Sequence, residues 1–572
     1  MLPGVGHRCR FTACGCRESG YSTAVTGRFI LRWGLMPTLL HPGVYVSEVP
    51  SGARSIEGAP TSTTIFVGET ERGPLGPTKI KSRSDYERLF GGYYRVRVIP
   101  GSPPDIDITR VLTAYEMDGY FQNGGSTAYI LRAIESDSAV AERDVEDRAS
   151  SPTSARCIQA SSPGVWGNSV SVAFLDPSGA DKEDRFRIVV VYEFPQTGER
   201  RLVEVWDRLS TVPDDENYVV DVLKRSLYIR WNEAIEPFLP DLDEFGSLPT
   251  SDPEESDIVD EAVVLDGGVG GRSLTSVEFG PLLAANLAGV DDAALLVATC
   301  DALLDEAEPY QDYVDQFIGF AENRPRQDLF FVGDLPSLRT DSETDATTAT
   351  VKTKNALNPS NFAGLYWPHL VVGDVVGVGR NPTITLPPAG YVAGLFARTD
   401  GRRGVWKAPA GTEATLTGTI AIQHQLNDLH SDDLNPNGIN ALRQIPGAGR
   451  VVWGARTMIP SSEWRYVPVR RTAIFLRTSI YNGIQWAVFE PNDEPLWGSL
   501  RASIGGFMET QFRNGAFAGR TSDQAYLVKV DAETTAEIDQ AAGIVNILVA
   551  FAPLRPAEFV VVKLSQKTQS AA

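Results

Sequence analysis

Residues 41–68 read HPGVYVSEVPSGARSIEGAPTSTTIFVG and hold two strand patterns separated by a linker. The first pattern, Val44 to Val49, begins with the β-branched and aromatic residues Val44, Tyr45 and Val46, and proline and glycine stand on both sides of it. Such residues favour a sheet, but the breaks isolate this strand from neighbours in the sequence. The second pattern, from Thr61, ends in a turn-rich stretch and predicts a strand of a folded body. The first strand therefore needs a partner from far along the chain or from another chain.

After Thr61 the sequence alternates strand and helix patterns. A capping box at Ser84 and Glu87 predicts a short helix that two glycines end. AYILRA (128–133), AALLVAT (293–299) and DLFFVGD (328–334) read as buried strands. Two further helices are predicted from apolar residues at helical spacing: Ile108, Val111, Leu112 and Tyr115 in the first, which ends at Asn123, and Val314, Phe317 and Ile318 in the second. This alternation predicts a sheet covered by helices.

Residues 136–271 interrupt the alternation. Within them FRIVVVYE and RLVEVW predict paired strands, and ten acids without a basic residue lie between Leu239 and Asp266. An acidic run of this kind is typical of a solvated face or loop. The segment predicts an inserted, outward-facing β-rich domain. The glycines of DGGVGG (266–271) fit a boundary turn better than a phosphate site, because no clear helix opens after them.

Composition excludes several classes of protein. The 572 residues are 42% hydrophobic and 22% charged, which is typical of a globular protein of several domains. The net charge of −21 argues against nucleic acid as a partner. Five cysteines in so long a chain form no disulfide framework and favour a reducing compartment. Apolar runs are too short to span a bilayer, so no direct membrane insertion is expected.

Residues 1–35 differ in composition from the rest of the chain. They hold five arginines and one acid, Glu18. A zinc cluster of His7, Cys9, Cys14 and Cys16 has a spacing that fits no common structural site. A signal peptide would need a clean apolar region after the arginines. We expect a disordered upstream extension, with Met36 as the working start.

Motifs that carry chemistry are missing from the sequence. It holds no G-x-S-x-G elbow, H-E-x-x-H, C-x-x-C or phosphate loop. His424 and His430 stand near three aspartates, and a polar loop explains them better than a metal site. We therefore expect no enzyme, no catalytic or metal-binding residue and no cofactor. Because a Ser-His-Asp triad is assembled from distant positions, an α/β hydrolase stays an alternative.

Several ordered motifs resemble contractile phage tail sheath proteins. They are HPGVYVSEVPSG with TSTTIFVGETERGP, YVAGLFARTDGRRGVWKAPAG (391–411), LNPNGINALRQIPGAGRVVWGARTM (434–458), WRYVPVRR (464–471), WAVFEPNDEPLW (486–497) and PAEFVVVKL (556–564). The resemblance covers about 36–130 and 290–565 and fails between them, where sheath proteins differ in their insertions. One chain with both halves favours phage-like sheaths over the related type VI secretion sheaths, which divide the equivalent chain between two proteins.

The resemblance implies an α/β and α+β multidomain fold and a mechanical function. Sheath subunits form stacked hexameric rings around an inner tube, and the sheath shortens when the baseplate triggers it. The implied partners are copies of this chain, the tube protein, the baseplate and tail-terminator proteins. The implied location is the bacterial cytoplasm during assembly and then a phage tail or phage-like particle. A static lattice, capsid-like or surface-layer, is the alternative.

The resemblance also implies two arms that donate strands to neighbouring subunits. The donor residues are Val44, Tyr45, Val46 and Val49 in the first arm, and Phe559, Val560, Val561, Val562 and Leu564 in the second. The second strand is mainly apolar on both faces, as expected of a strand buried on both sides. Pairing of the two termini within one subunit is the alternative. The segment from Pro50 to Pro60 is expected to be a linker that reaches outward.

The expected division of the chain follows from these patterns. It is a possible extension (1–35), N-terminal arm and linker (36–60), first part of the sheath core (61–135), inserted domain (136–271), second part of the core (272–405), tube-proximal C-terminal domain (406–555) and C-terminal arm (556–572).

The candidate tube contact rests on a local reversal of charge. Residues 465–520 hold seven basic residues and four acids in an acidic chain. A helix is predicted there with an apolar face formed by Leu496, Leu500, Ile504, Phe507, Met508 and Phe512. Arg501, Glu509 and Arg513 would lie off that face, where the tube could meet them. An ordinary amphipathic helix with a solvated polar side is the alternative.

Overall fold

A computed structural model of the chain describes residues 54–99, 105–134, 137–148, 154–178, 184–242, 255–270, 274–299, 307–337, 342–559 and 561. The predictions for residues 1–35 and for the donor strand Val44 to Val49 lie outside these ranges, as do those for Val560, Val562 and Leu564.

The described residues form strands and helices in alternation. The strands are β1 (Thr64–Gly68), β2 (Thr78–Ile80), β3 (Tyr94–Ile99), β4 (Asp105–Arg110), β5 (Ala128–Arg132), β6 (Glu142–Glu146), β7 (Ser154–Ala160), β8 (Val170–Leu175), β9 (Arg185–Phe194), β10 (Glu199–Ser210), β11 (Ile229–Trp231), β12 (Val263–Val264), β13 (Leu295–Thr299), β14 (Phe330–Asp334), β15 (Ala363–Trp367), β16 (Leu370–Gly373), β17 (Thr383–Leu386), β18 (Ala421–Ile422), β19 (Ile439–Ile445), β20 (Gly449–Val452), β21 (Tyr526–Lys529) and β22 (Leu548–Phe551). The helices are α1 (Arg83–Phe90), α2 (Leu112–Gln122), α3 (Val219–Leu223), α4 (Glu255–Glu261), α5 (Phe279–Leu287), α6 (Ala307–Asn323), α7 (Glu343–Ala356), α8 (Ala389–Arg403), α9 (Asp428–Leu434), α10 (Val467–Gly483), α11 (Glu494–Arg513), α12 (Ser522–Ala525) and α13 (Glu537–Ala541).

The centre is an eight-stranded sheet in the order β2-β5-β1-β13-β14-β15-β19-β20. The six inner strands are parallel, and only the edge strands β2 and β20 run antiparallel to their neighbours. β1 is buried throughout and pairs with β5 on one side and β13 on the other. Parallel strands are covered on both faces, which explains their unbroken apolar sequences. The predicted helix-covered sheet is confirmed.

Helices α2 and α8 cover part of this sheet and pack closely on each other because glycine lies at their contact. A Cβ atom at Gly119 would come within 2.2 Å of the Tyr391 ring, and one at Gly394 within 2.3 Å of the Tyr120 carbonyl oxygen. Elsewhere α6 places Phe317 against Phe331 of β14, with ring centroids 5.6 Å apart. A continuous apolar core joins these layers.

Residues 139–269 form an inserted β region with two sheets and a core of their own. β9 and β10 pair antiparallel, which confirms the pairing predicted for FRIVVVYE and RLVEVW. The first and last residues of the region lie side by side, because Ala139 bridges Val269 and Glu142 bridges Asp266. Gly267, with φ of 79°, lies between these bridges, so the described part of the glycine stretch pairs with the start of the region and does not form a tight turn.

Buried polar contacts fix the inserted region to the central sheet. The Tyr192 hydroxyl donates to Glu71 Oε1 at 2.6 Å, and Gly92 N donates to Glu71 Oε2 at 2.6 Å. The Arg72 guanidinium lies 4.4 Å from the Tyr228 ring centroid. The two hydrogen bonds satisfy the Glu71 carboxylate, and the contact with the Tyr228 ring partly offsets the cost of burying the Arg72 cation.

Two local predictions are wrong. Ile108 lies in β4, which pairs with β3 as a hairpin, and α2 begins only at Leu112. The cap of α1 is Ser82 and not Ser84, because Ser82 has extended backbone angles and its Oγ accepts from Asp85 N at 3.1 Å. Gly91, with φ of 88°, ends α1 as expected.

The central sheet extends further along the chain than the predicted division at 405/406. β19 pairs parallel with β15, with Leu365 opposite Ile439, and β20 then forms the sheet edge. Strands assigned to the C-terminal domain from their position in the sequence thus complete the central sheet. A strand pattern does not say which sheet the strand joins.

The candidate assembly surface

The C-terminal region, residues 460–559, is built around the long helix α11. Asp493 caps this helix, with its Oδ1 accepting from Leu496 N at 3.4 Å, and Pro495 stands in the first turn. Its predicted apolar face is confirmed: Leu496, Leu500, Ile504, Phe507 and Met508 are buried and Phe512 is half-buried. α11 therefore turns one face into the region and leaves the other face outside.

The three residues predicted to contact a tube lie off the buried face and are paired within the subunit. Arg501 donates to Glu494 Oε1 at 3.0 Å and to the Val530 carbonyl oxygen at 2.5 Å. Arg513 Nε donates to Glu509 Oε1 at 2.8 Å. That bond lowers the pKa of Glu509 below its usual value. All three are accessible, and their contact with a tube stays a prediction.

The charge reversal that suggested this contact is weaker on the surface than in the sequence. Two of the seven basic residues, Arg470 and Arg471, are buried. Arg471 forms a bidentate pair with Asp400 at 2.6 and 3.0 Å, and Arg470 lies 3.6 Å from the Phe362 ring centroid. These cations join α10 to the central body, so they are not available to a partner.

A two-stranded sheet, β21 and β22, lies beside α11. Its inner face packs Val528 and Val549 on the α11 core, and its outer face exposes about half of Leu527 and of Leu548. Within the described ranges this sheet has no third strand. Two strands alone are marginal, and their edges offer unpaired backbone groups to a further strand. Sequence reasoning missed this sheet, since YLVK and LVAF are too short to signal a pairing.

Glu558 anchors the end of the described chain, and the described side chains beyond it are apolar. Arg456 donates to both carboxylate oxygens of Glu558, at 2.9 and 2.5 Å, in a mostly buried pair. Beyond this anchor the side chains of Phe559 and Val561 are 76% and 79% exposed. These two members of the predicted donor strand are therefore apolar side chains that their own subunit leaves largely uncovered.

The start of the described chain packs on α10 and α11. Arg54 N donates to Ser503 Oγ at 2.9 Å, and its guanidinium lies 4.7 Å from the Trp486 ring centroid. Ile56 is buried against Gly483, where a Cβ atom would come within 2.6 Å. This half of the predicted linker is thus bound to the C-terminal region and does not reach outward.

The two histidines near aspartates have structural roles. The His424 ring stacks on Trp367 with centroids 5.2 Å apart. His430 Nδ1 accepts from Asn427 N at 3.3 Å, which closes the first turn of α9. No group of three or more potential metal ligands occurs in the described part of the chain. Likewise, none of its helices is long and apolar enough to cross a bilayer.

Comparison with known proteins gives the family. The model of the phage tail sheath protein central domain matches residues 284–458, and that of the phage tail sheath C-terminal domain matches residues 460–567. The chain belongs to the phage tail sheath family. The junction between the two sheath models falls between β20 and α10, where the central sheet is complete. The predicted resemblance of residues 36–130 lies outside both models.

Curated sheath proteins are similar to this chain over short stretches. The tail sheath protein of Vibrio phage KVP40 is 31% identical over 125 residues, which is 22% of this chain and 19% of the relative. A putative prophage major tail sheath protein of Pseudomonas aeruginosa is 35% identical over 104 residues, or 18% of this chain and 27% of the relative. The matched stretches thus span about a fifth to a quarter of these relatives' length.

Solved sheath structures share the fold over nearly the whole chain. The PVC sheath complex of an extracellular contractile injection system, in its contracted state, has a TM-score of 0.53 at 20% identity and covers 93% of this chain and 99% of that one. The sheath tail protein of Listeria innocua has a TM-score of 0.53 at 11% identity and covers 88% and 97%. The expected α/β and α+β multidomain fold is confirmed.

Proposed function

We propose that this chain is the repeating subunit of a contractile sheath, which polymerises around an inner tube and shortens to drive the tube through a target envelope. Family membership and a fold shared with sheath subunits support the proposal. The single observation that carries it is that the described chain has both an open two-stranded sheet and an exposed apolar end segment. A protein that acts alone would gain nothing from leaving both uncovered.

Strand donation connects neighbouring copies in this proposal. The segment from Phe559 adds to the free edge of the β21–β22 sheet of another subunit, and the strand at Val44 to Val49 adds there as well. Main-chain hydrogen bonds supply affinity and alternate side chains set the register. Each bond contributes roughly 0.5–1.5 kcal/mol net, so a strand with four bonds is held by a few kcal/mol.

The anchor at Glu558 gives the arm a defined origin. The bidentate pair with Arg456 holds the chain immediately before Phe559, so tension on a donated strand is transferred to the body of its own subunit. Arms that are attached in this way keep a lattice connected while the subunit bodies slide past one another. This is the mechanical requirement of contraction.

The remaining partners follow the same proposal. Copies form stacked hexameric rings, a baseplate triggers contraction and a terminator protein ends the sheath. The tube meets α11 through Arg501, Glu509 and Arg513. A contact that is released during contraction should be polar and weak, because exposed ion pairs contribute about 0–1 kcal/mol each and are screened by salt. Assembly takes place in the bacterial cytoplasm.

Electron microscopy of the purified chain tests the proposal. Assembled filaments are measured before and after brief exposure to acid or mild denaturant. A contractile sheath gives hollow filaments that become shorter and wider. Filaments of constant length would favour the static lattice, and a chain that stays monomeric at all concentrations, alone and with tubes, would contradict the proposed function.

A further inference from the structure

One end of the C-terminal region carries exposed apolar side chains within an acidic surface. We call this end the acidic tip; it comprises residues 485–500 and 530–547. Val488, Phe489 and Ile538 are 58%, 102% and 79% exposed. The two segments hold seven acids and no basic residue: Glu490, Asp493, Glu494, Asp531, Glu533, Glu537 and Asp539. Side-chain bonds join the segments, since Gln540 Nε2 donates to the Asn492 carbonyl oxygen at 2.6 Å.

Phe489 is held in a backbone conformation that its residue type rarely adopts. Its φ is 69°, in the left-handed region, which costs a bulky residue roughly 1–3 kcal/mol. The turn is held by Glu490 N, which donates to the Ala487 carbonyl oxygen at 3.2 Å. Strain of this kind persists where it has a use. Here its effect is to present a whole aromatic side chain to the surroundings.

A groove of about 970 Å³ lies at the other end of α11. Trp406 and Trp453 give it aromatic walls, and Asn514 and Gly515 line it from the end of the helix. Among its charged residues, Arg403 pairs with Glu413 and Arg443 with Asp428. Glu558 pairs with Arg456, and Asp432 also lines the groove.

Two cations of this groove are available to a partner. In the part of the chain that the structure describes, Lys407 and Arg555 form no ion pair, and neither do Glu490 and Glu537 of the acidic tip. The groove thus offers aromatic walls with free cations, and the tip offers an aromatic anchor with free carboxylates. Aromatic anchors in pockets, surrounded by complementary charge, are the pattern of specific interfaces.

The acidic tip cannot reach the groove of its own subunit. Phe489 of the tip precedes the first residue of α11, and the groove is lined by residues that follow the last. A helix of 20 residues is about 30 Å long. Contact between the two surfaces therefore requires two copies. Such a head-to-tail contact between unlike surfaces produces rings or open helical filaments.

We infer that the acidic tip of one copy docks in the groove of the next, with Phe489 between Trp406 and Trp453 and with Glu490 and Glu537 facing Lys407 and Arg555. The inference rests on the proposed self-assembly and adds a second contact that is independent of strand donation. Phe559 also lines the groove, so the contact is continuous with the origin of the donated strand.

Assembly of the full chain tests the anchor. Phe489→Ala should raise the critical concentration for assembly roughly 10- to 100-fold, as loss of an interface anchor does. Val378→Ala removes an equally exposed side chain from a different loop and should leave assembly unchanged. Equal critical concentrations for Phe489→Ala and the wild-type chain would overturn the inference.

Charge exchange tests the partner surface. Glu490→Lys with Glu537→Lys should weaken assembly, and Lys407→Glu with Arg555→Glu should do the same. All four changes together restore attraction with the signs reversed, so assembly should recover most of the loss. A fourfold variant no better than either double variant would count against this docking.

A crosslink separates this inference from the proposed function. Copies with Val488→Cys, which keep the Phe489 anchor, are mixed with copies with Ala408→Cys under mild oxidation; Val488 is exposed beside Phe489 and Ala408 lines the groove. A mixed disulfide should form in the mixture and not in either variant alone. If it forms without hollow filaments, the docking stands and the sheath proposal falls. Filaments without the mixed disulfide would leave the sheath proposal and remove the docking.

Discussion

The central sheet and the β21–β22 sheet satisfy their strands in opposite ways. The inner strands of the central sheet are paired on both sides and covered on both faces. The β21–β22 sheet has two strands and exposes Leu527 and Leu548, and the segment after Glu558 exposes Phe559 and Val561. Folding of one subunit completes the first sheet, whereas in the proposed assembly other copies complete the second. Stability and assembly should therefore respond to different substitutions.

The largest expected effect is on the open segment. A chain that ends at Glu558 lacks the donor strand but keeps its anchor, so it should form no long sheaths. Its thermal unfolding should match that of the full chain, because the described residues that are removed, Phe559 and Val561, are exposed and lie outside the core. Negative-stain microscopy and calorimetry measure the two properties. Long sheaths from the truncated chain would show that the segment is not a donor.

A substitution that shortens a core side chain of the central sheet should have the converse effect: it should lower stability and leave assembly unchanged. Phe331→Ala removes a buried ring packed on Phe317 and should lower the free energy of unfolding by about 3–5 kcal/mol. Subunits that remain folded should assemble normally. Urea titration checks the loss, with Val277→Ala at an exposed site as the control. A loss below 1 kcal/mol would mean that the sheet is not packed as described.

The anchor at Glu558 connects the two regions, and its loss should have an intermediate effect. Glu558→Gln leaves Arg456 mostly buried without its carboxylate, which costs about 1.5–3 kcal/mol locally. We expect faster hydrogen exchange around residues 554–559 and weaker assembly, with little change in global unfolding. Asp221→Asn breaks an exposed pair with Lys224 and serves as the control. Unchanged exchange would show that the pair does not hold the arm.

A buried pair of carboxyls makes the central body sensitive to pH. Asp334 Oδ1 and Glu116 Oε2 accept from Ala389 N and Gly390 N, in the first turn of α8. Burial raises the pKa of both groups well above their usual values. The folded state therefore binds protons more tightly than the unfolded state, and the free energy of unfolding falls as pH rises above the unfolded values near 4.

Replacement of one member should remove part of this pH dependence. Glu116→Gln should raise the free energy of unfolding at pH 8 by on the order of 1 kcal/mol, and the gain should shrink towards pH 4. Denaturant titrations at several pH values measure it. Glu236→Gln, at an exposed position of the inserted region, is the matched control. Parallel pH profiles for Glu116→Gln and the wild-type chain would rule out this role of the pair.

The smallest expected effect is at α11. Arg501→Glu with Arg513→Glu should weaken binding to tubes by less than about 1 kcal/mol in total and only at low salt, because exposed pairs contribute about 0–1 kcal/mol each and are screened by salt. Co-sedimentation with tubes at two salt concentrations measures it, and circular dichroism confirms folding. Binding that is equal to the wild type at low salt would remove these residues from the tube contact.

Local patterns predicted the strands and helices of both regions, but not how they combine. The apolar runs of β1, β5, β13 and β14 and the helical spacing in α11 are visible in the sequence because each is a short-range periodicity. Ile108 satisfies a helical pattern but lies in a strand, since its hairpin partner β3 decides its conformation. The exposed arginines of α11 were found, whereas the burial of Arg470 and Arg471 depends on Asp400 and Phe362, far away in the chain.

The sequence by itself determined the class of fold and, through ordered motifs, the sheath family. Both follow from patterns within short windows of the chain. Only the tertiary structure decided that β19 and β20 complete the central sheet, that Glu116 and Asp334 meet at the start of α8, and that the acidic tip and its groove lie at opposite ends of α11. The reason is physical: strand pairing, burial of charge and the separation of two surfaces depend on contacts between distant residues, and no local periodicity records them.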